Sequence, residues 1–194
     1  SLAAILENPW VQRSFIVSNK DPPYSLYTDI LGETFTYKRL DWEAARYFTL
    51  ILCSKNLAVA NCFRVPFVTK MGRDILVFDV LVSNTSTRTP LRECFRLCTA
   101  HLESLWEGIA YRQGQLALIS SLLKGDLAMG SKIVAGVAGG DMNVCDSSEH
   151  QWHKASSIDL KDAWEDVPTP PIPVLRPFQK DHSFGQAKGN TWGY

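Results

Sequence analysis

The sequence predicts a mixed α/β (α+β) fold built as a layered sandwich, and three observations carry that prediction. Between Arg46 and Ala100, four short runs rich in β-branched and aromatic residues alternate with turn-forming segments. An amphipathic helical pattern follows from Ile109 to Leu123, and then an apolar run from Ile133 to Ala138. Strands, then a helix, then more strands point to stacked layers rather than to regularly alternating βαβ units.

Leu2, Ile5 and Leu6 recur at helical spacing and are closed by Asn8 and Pro9, so Ser1 to Asn8 reads as the tail of a helix. Ser14 to Val17 is a short strand. Residues 19–45 have no clear period: "DPPYS" is a turn and "LDWEAA" supplies at most one helical turn. The four runs "YFTLILC", "LAVANCFRV", "DILVFDVLVS" and "CFRLCTA" are separated by "SKN", "TKMGR" and "NTSTRTP", which predicts an antiparallel sheet. In the next helix Ile109, Leu116, Ile119, Leu122 and Leu123 share one side, and Gly125 ends it. Asp159 to Asp166 is a short acidic segment of helical character anchored by Trp164. "VPTPPIPVLRP" holds five prolines and must be extended, so 167–189 reads as a surface insertion in a single 1–194 domain. "GNTWGY" has the composition of a strand.

A chain of 194 residues can bury roughly 70% of its unfolded surface, enough for one enzyme-sized domain. Its apolar fraction of 45% and charged fraction of 21% are ordinary for a globular domain. No apolar run approaches the roughly 20 residues needed to cross a bilayer, so a membrane partner is not expected. Net charge is zero, with 12 basic and 9 acidic side chains in residues 1–100 and 8 against 11 in the rest. Without an overall basic field, a phosphate-bearing substrate must be held locally by a few residues and a metal ion. Cys53, Cys62, Cys94, Cys98 and Cys145 are odd in number, lack CxxC spacing and sit mostly in apolar runs. That is the pattern of buried free thiols in an intracellular protein. The chain begins at Ser1 without a signal segment, which suggests a preceding stretch.

The first chemical stretch is "AGGDMNVCD", Ala138 to Asp146. If the strand before it continues, Asp141 and Asn143 project to one face. A carboxylate there can orient or deprotonate water while a neutral amide donates to a phosphate oxygen. Gly139 and Gly140 allow close approach of backbone and substrate. The alternative is a plain turn, since glycine, aspartate and asparagine are the usual turn residues. The second stretch is "TAHLES", where His101 follows a strand and can donate to a phosphate oxygen or serve packing alone. Glu103 and Ser104 come next. Arg112 and Gln115 lie on the following helix, and Arg112 either points back to the site or is a solvated helix charge, the latter being the expectation. Cys145, His150 and His153 match no common zinc spacing. No phosphate-binding GxxxxGK[ST] loop, GxSxG elbow or HExxH helix is present.

Taken in order, "YFTLILCSKN", "GRDILVFDVLV", "TAHLES", "YRQGQL", "GGDMN", "LKDAWED" and "NTWGY" resemble the successive blocks of the endonuclease/exonuclease/phosphatase superfamily, and within it the tyrosyl-DNA phosphodiesterases. "ENPWVQRSFIVS" is similar to the segment that follows the metal-binding glutamate of those enzymes. The likeness covers nearly the whole chain and is weakest over 19–45 and 167–189. It implies a four-layer, DNase I-like sandwich of two β-sheets flanked by helices, with the site at one end between the sheets. It also implies phosphoester cleavage with Mg²⁺ (or Mn²⁺). The implied partner is DNA with a 5′-phosphotyrosyl end, or another phosphodiester, in DNA repair, which leaves a nuclear location open. By position, Asp141 would orient the attacking water, Asn143 would contact the phosphate and His101 would stabilise the transition state. Ser104 would help hold the phosphate, and Thr191 and Trp192 would shape the floor.

The family's first-strand asparagine, its metal-holding glutamate in an LQE-like block, a later aspartate and a terminal SDH histidine have no counterpart between Ser1 and Tyr194. The expectation is the middle of such a domain, incomplete at both ends, with that glutamate upstream of Ser1 and no metal ligand in this chain. Such a piece would be inert or nearly so, and its open sandwich would tend to associate. A nuclease, an inositol polyphosphate phosphatase, a sphingomyelinase and a non-catalytic remnant remain as alternatives.

Overall fold

In the computed structural model, which describes residues 2–18, 26–28, 34–36, 48–82, 92–127, 130–163 and 191–193, the chain opens with two short helices, α1 (Leu2–Glu7) and α2 (Pro9–Ser14). Asn8 lies between them. Its side-chain oxygen accepts from the amides of Trp10 and Val11, and Pro9 occupies the first helical position, where no amide is needed. Strand β1 (Phe15–Val17) follows, then β2 (Leu26–Thr28) and β3 (Thr34–Thr36), which pair with each other. The chain continues through β4 (Leu52–Ser54), β5 (Val59–Pro66), β6 (Asp74–Leu81), β7 (Arg92–His101), α3 (Ile109–Leu123), β8 (Ser131–Asp141) and β9 (Thr191–Gly193).

Strands β5 to β9 form one sheet in chain order. The expected antiparallel arrangement holds for β5–β6–β7, but β8 runs parallel to β7, because α3 crosses over between them. The run "YFTLILC" is not the fourth strand of this sheet. Only Leu52–Ser54 is extended, and it pairs antiparallel with β1 in a separate sheet. The terminal "NTWGY" does supply a strand, β9, antiparallel to β8.

Strand β6 is buried along almost its entire length, because both faces of the five-stranded sheet are covered. Alternate residues serve opposite faces. Phe63, Val65, Ile75, Val77, Cys98, Ala100 and Ala138 pack under Leu116, Ile119, Leu122 and Leu123 of α3. Cys62, Leu76, Phe78 and Val80 pack instead against Cys53 of β4 and its neighbour Ile51. The layers thus run from α3 through the large sheet to the β1–β4 pair, with α2 tied to β4 by Lys55, whose amide donates to the Ser14 carbonyl at 3.0 Å. Trp10, Ile16 and Leu52 on that outer side are exposed apolar residues.

One buried ion pair spans the α3 face. Arg96 makes a two-point bond to Asp79, both side chains fully buried, and also donates to the carbonyls of Leu122, Asp126 and Leu127. It therefore ties the sheet to the C-terminal end of α3, where unpaired carbonyls attract a cation. The helix stops there as expected, with Gly125 at φ +111°. Of the segment Asp159 to Asp166, residues 159–162 are not helical and Ala163 is, the rest lying outside the described residues. "LDWEAA" at 40–45, Trp164 and the proline-rich stretch 167–189 lie outside the described residues.

Candidate active site

Parallel strands β7 and β8 end side by side, with His101 registered on Asp141 and Ala100 on Gly140. Ala100 points into the core under α3, so the next residue, His101, turns to the opposite face, toward the second sheet. There its Nε2 lies 3.6 Å from Asp141 Oδ2, both groups partly exposed. Gly140 makes the approach possible: it sits at φ +148°, and any Cβ would collide with the Ala100 carbonyl. Gly139 is different, since a Cβ there would meet nothing. Burial holds the His101 imidazole below its ordinary value, the Arg73 guanidinium pushes the same way, and the Asp141 carboxylate pulls it partly back. The imidazole is therefore neutral at pH 7 and offers one N–H donor.

Asn143 reaches the same place by a different route from the one expected. Strand β8 stops at Asp141, and Asn143 adopts φ +49°, so no strand pleat aligns the two side chains. Instead the Asn143 amide donates to Asp141 Oδ1 at 3.0 Å, a side-chain turn of the kind aspartate favours. The Asn143 side-chain amide donates to the Leu102 carbonyl at 2.8 Å, and the Leu102 amide donates to the Asp141 carbonyl at 2.9 Å. "GGDMN" is thus a turn, and the turn places the acid beside His101. Met142, between them, is buried in the core.

Ser104 lies three residues beyond His101, and its hydroxyl accepts from Arg73 Nη2 at 3.3 Å. Arg73 belongs to "TKMGR", whose composition signalled only a turn. The carboxylate of buried Glu103 anchors that turn, accepting from the Thr69 hydroxyl and from the Lys70 amide at 2.9 Å. Gln115 accepts from the Glu103 amide and donates to the Val68 carbonyl. Arg112 is not a solvated helix charge: it is buried, and it forms a two-point bond with Glu149 at 2.6 and 2.9 Å. Thr191 and Trp192 lie on β9 at register positions opposite Gly139 and Ala138, so both stand on the strand neighbouring Asp141's.

At this site Asp141 offers one exposed carboxylate, while Glu103 and Glu149 are buried and committed to their loops. No group of three or more His, Cys, Asp or Glu side chains among the described residues could hold a metal ion. Mg²⁺ keeps several waters and is commonly held by one or two carboxylates, and of the described carboxylates at this site Asp141 is the exposed one that could serve such an ion. No helix among them is long and apolar enough to cross a membrane.

Neither a protein-family model nor a curated protein matches the sequence. Solved structures do match. Truncated TDP2 of Caenorhabditis elegans superposes with a TM-score of 0.51 at 22% identity, over 83% of this chain and 52% of that one. The human Nocturnin catalytic domain, solved with a bound sulfate anion, superposes with a TM-score of 0.52 at 13% identity, over 84% of this chain and 56% of that one. The chain spans about half the length of each. On this likeness of architecture, the chain carries a DNase I-like fold.

Proposed function

We propose that the protein is a phosphodiester hydrolase acting on DNA that carries a 5′-phosphotyrosyl end. The observation that carries this reading is the 3.6 Å approach of His101 to Asp141 at the ends of adjacent strands. The tyrosyl-DNA branch is supported by the sequence blocks alone. A phosphate-shaped anion is supported by the Nocturnin catalytic domain, which holds a sulfate.

In the reaction, a water oxygen bonds to phosphorus while the bond from phosphorus to the tyrosine oxygen breaks. Asp141 takes the water's proton, its Oδ1 steadied by the Asn143 amide. Neutral His101 donates its N–H to a phosphate oxygen as charge accumulates there. The Arg73 guanidinium, bonded to Ser104, adds positive charge on the same side. The phenolate leaves and takes a proton from solvent. A requirement for Mg²⁺ or Mn²⁺ is carried by the sequence resemblance alone.

The test is release of p-nitrophenolate from p-nitrophenyl thymidine 5′-phosphate by the protein, with Mg²⁺, Mn²⁺ or a chelator, against inositol phosphates as competing substrates. Asp141→Ala is expected to lower kcat on the order of 100-fold or more. Turnover indifferent to Asp141→Ala, or confined to inositol phosphates, overturns the reading. Inertness toward every ester favours a non-catalytic binding role.

A further inference from the structure

We propose that Arg112 and Glu149 are a positioning pair that sets the spacing of His101 and Asp141. The proposal rests on reading those two residues as the working groups of the site. Strand β7 delivers His101, and just beyond it the carbonyls of Glu103 and Leu105 accept from Arg112 Nη1 at 3.0 and 2.7 Å. Strand β8 delivers Asp141, and just beyond it the amides of Cys145 and Asp146 both donate to Glu149 Oε1 at 3.0 Å. One member of the pair therefore holds each loop, and the two members meet in a fork, Nε to Oε2 at 2.6 Å and Nη2 to Oε1 at 2.9 Å.

Stability alone does not account for this arrangement. A buried ion pair is often no more stabilising than apolar residues of the same volume. Apolar residues could not bind four backbone groups on two loops. The loop after His101 also carries strain: Leu105 sits at φ 69°, ψ 167°, a conformation nearly confined to glycine. Its carbonyl is held by Arg112 and by the Gly108 amide. Gly108 leaves room for the guanidinium, since a Cβ there would come within 2.9 Å of Arg112 Nη1. Strain next to Ser104, held in place by a rigid fork, is what a loop kept in one arrangement requires.

The reporter is the Leu102 amide, which donates to the Asp141 carbonyl and so records the register of the two loops. Its hydrogen exchange is measured by NMR on the whole chain, relative to the Val77 amide in the central strand β6, so that global stability cancels. Glu149→Gln and Arg112→Lys are expected to raise the Leu102-to-Val77 exchange ratio about tenfold or more. Asp79→Asn, which weakens the equally buried Asp79–Arg96 pair farther up β7, should leave the ratio unchanged. Gly108→Ala, which presses on the guanidinium, should raise the ratio and serves if Arg112→Lys does not fold. In turnover assays, kcat should fall on the order of 100-fold with KM little changed. An unchanged ratio in Glu149→Gln and Gly108→Ala, or an equal rise in Asp79→Asn, overturns the proposal. A wild-type protein without turnover favours the non-catalytic reading, while the exchange ratio still decides the role of the pair.

Discussion

His101 Nε2 stands 3.6 Å from Asp141 Oδ2 because two parallel strands end in register, with a glycine at 140 where any side chain would strike the neighbouring strand. This geometry sets the titration of the imidazole. Burial lowers its pKa from 6.5, Arg73 lowers it further, and Asp141 opposes both. Between the lowered folded value and 6.5 the unfolded chain binds more protons, so His101 costs stability as pH falls through that window and costs nothing above it. An NMR titration of the His101 ring should give a midpoint below 6.5. Asp141→Asn should lower that midpoint further, and Arg73→Met should raise it. A midpoint that moves in neither variant would mean the three groups do not share a site.

Gly140→Ala should be among the more damaging single-methyl changes in the chain. The residue combines a positive φ with backbone contact to the Ala100 carbonyl, so neither rotation nor side-chain repacking relieves the clash. The expected loss is at least about 2 kcal/mol by urea denaturation. Gly139→Ala, one residue earlier with open space at its Cβ, should cost far less. Equal losses at the two positions would show that β7 and β8 do not approach as described.

Much of the fold was legible where periodicity alone decides it. The buried run "DILVFDVL" and the helix Ile109–Leu123 required no tertiary information. What periodicity could not state was partnership: the same β-branched composition serves Leu52–Ser54 in one sheet and Val59–Pro66 in another. At the site, His101 and Asp141 were singled out by their residue chemistry and by resemblance and are brought together by strand register, whereas Arg73 sat in a stretch whose glycine and charges signal only a turn. Arg112 carried a signal that its charge obscured. It precedes Leu116 by one turn and Ile119 by two, on the stripe that faces the sheet, so its position marked it as buried before its chemistry was considered.

The thiols should divide sharply by reactivity. Cys53, Cys62, Cys94 and Cys98 are buried, and burial pushes Cys62 to about 11 and Cys98 to about 12, which suppresses the reactive thiolate. Cys145 is exposed. Iodoacetamide on the native protein should therefore modify Cys145 alone, as read by peptide mass mapping, and all five thiols in denaturant. Native labelling at Cys98 would contradict the packing of the sheet beneath α3.

The Arg112–Glu149 pair makes a prediction about acid stability whose sign follows from the balance at the carboxylate. Burial raises the Glu149 pKa, but the hydrogen bonds from Arg112 and the Cys145 amide outweigh it, and the net shift is downward. The folded state therefore holds this carboxylate ionised where the unfolded chain, near the ordinary value of about 4.3, would protonate it. Its stabilisation is complete above that value and disappears as pH falls through the lower folded pKa. Urea denaturation across this range should show the wild type losing stability more steeply than Glu149→Gln. At pH 7, Arg112→Met should cost roughly 3–5 kcal/mol, because it strands a buried carboxylate among backbone amides too few to neutralise it. If Arg112→Met is instead as stable as the wild type, Glu149 is not buried against Arg112, and the two loops are held by some other contact.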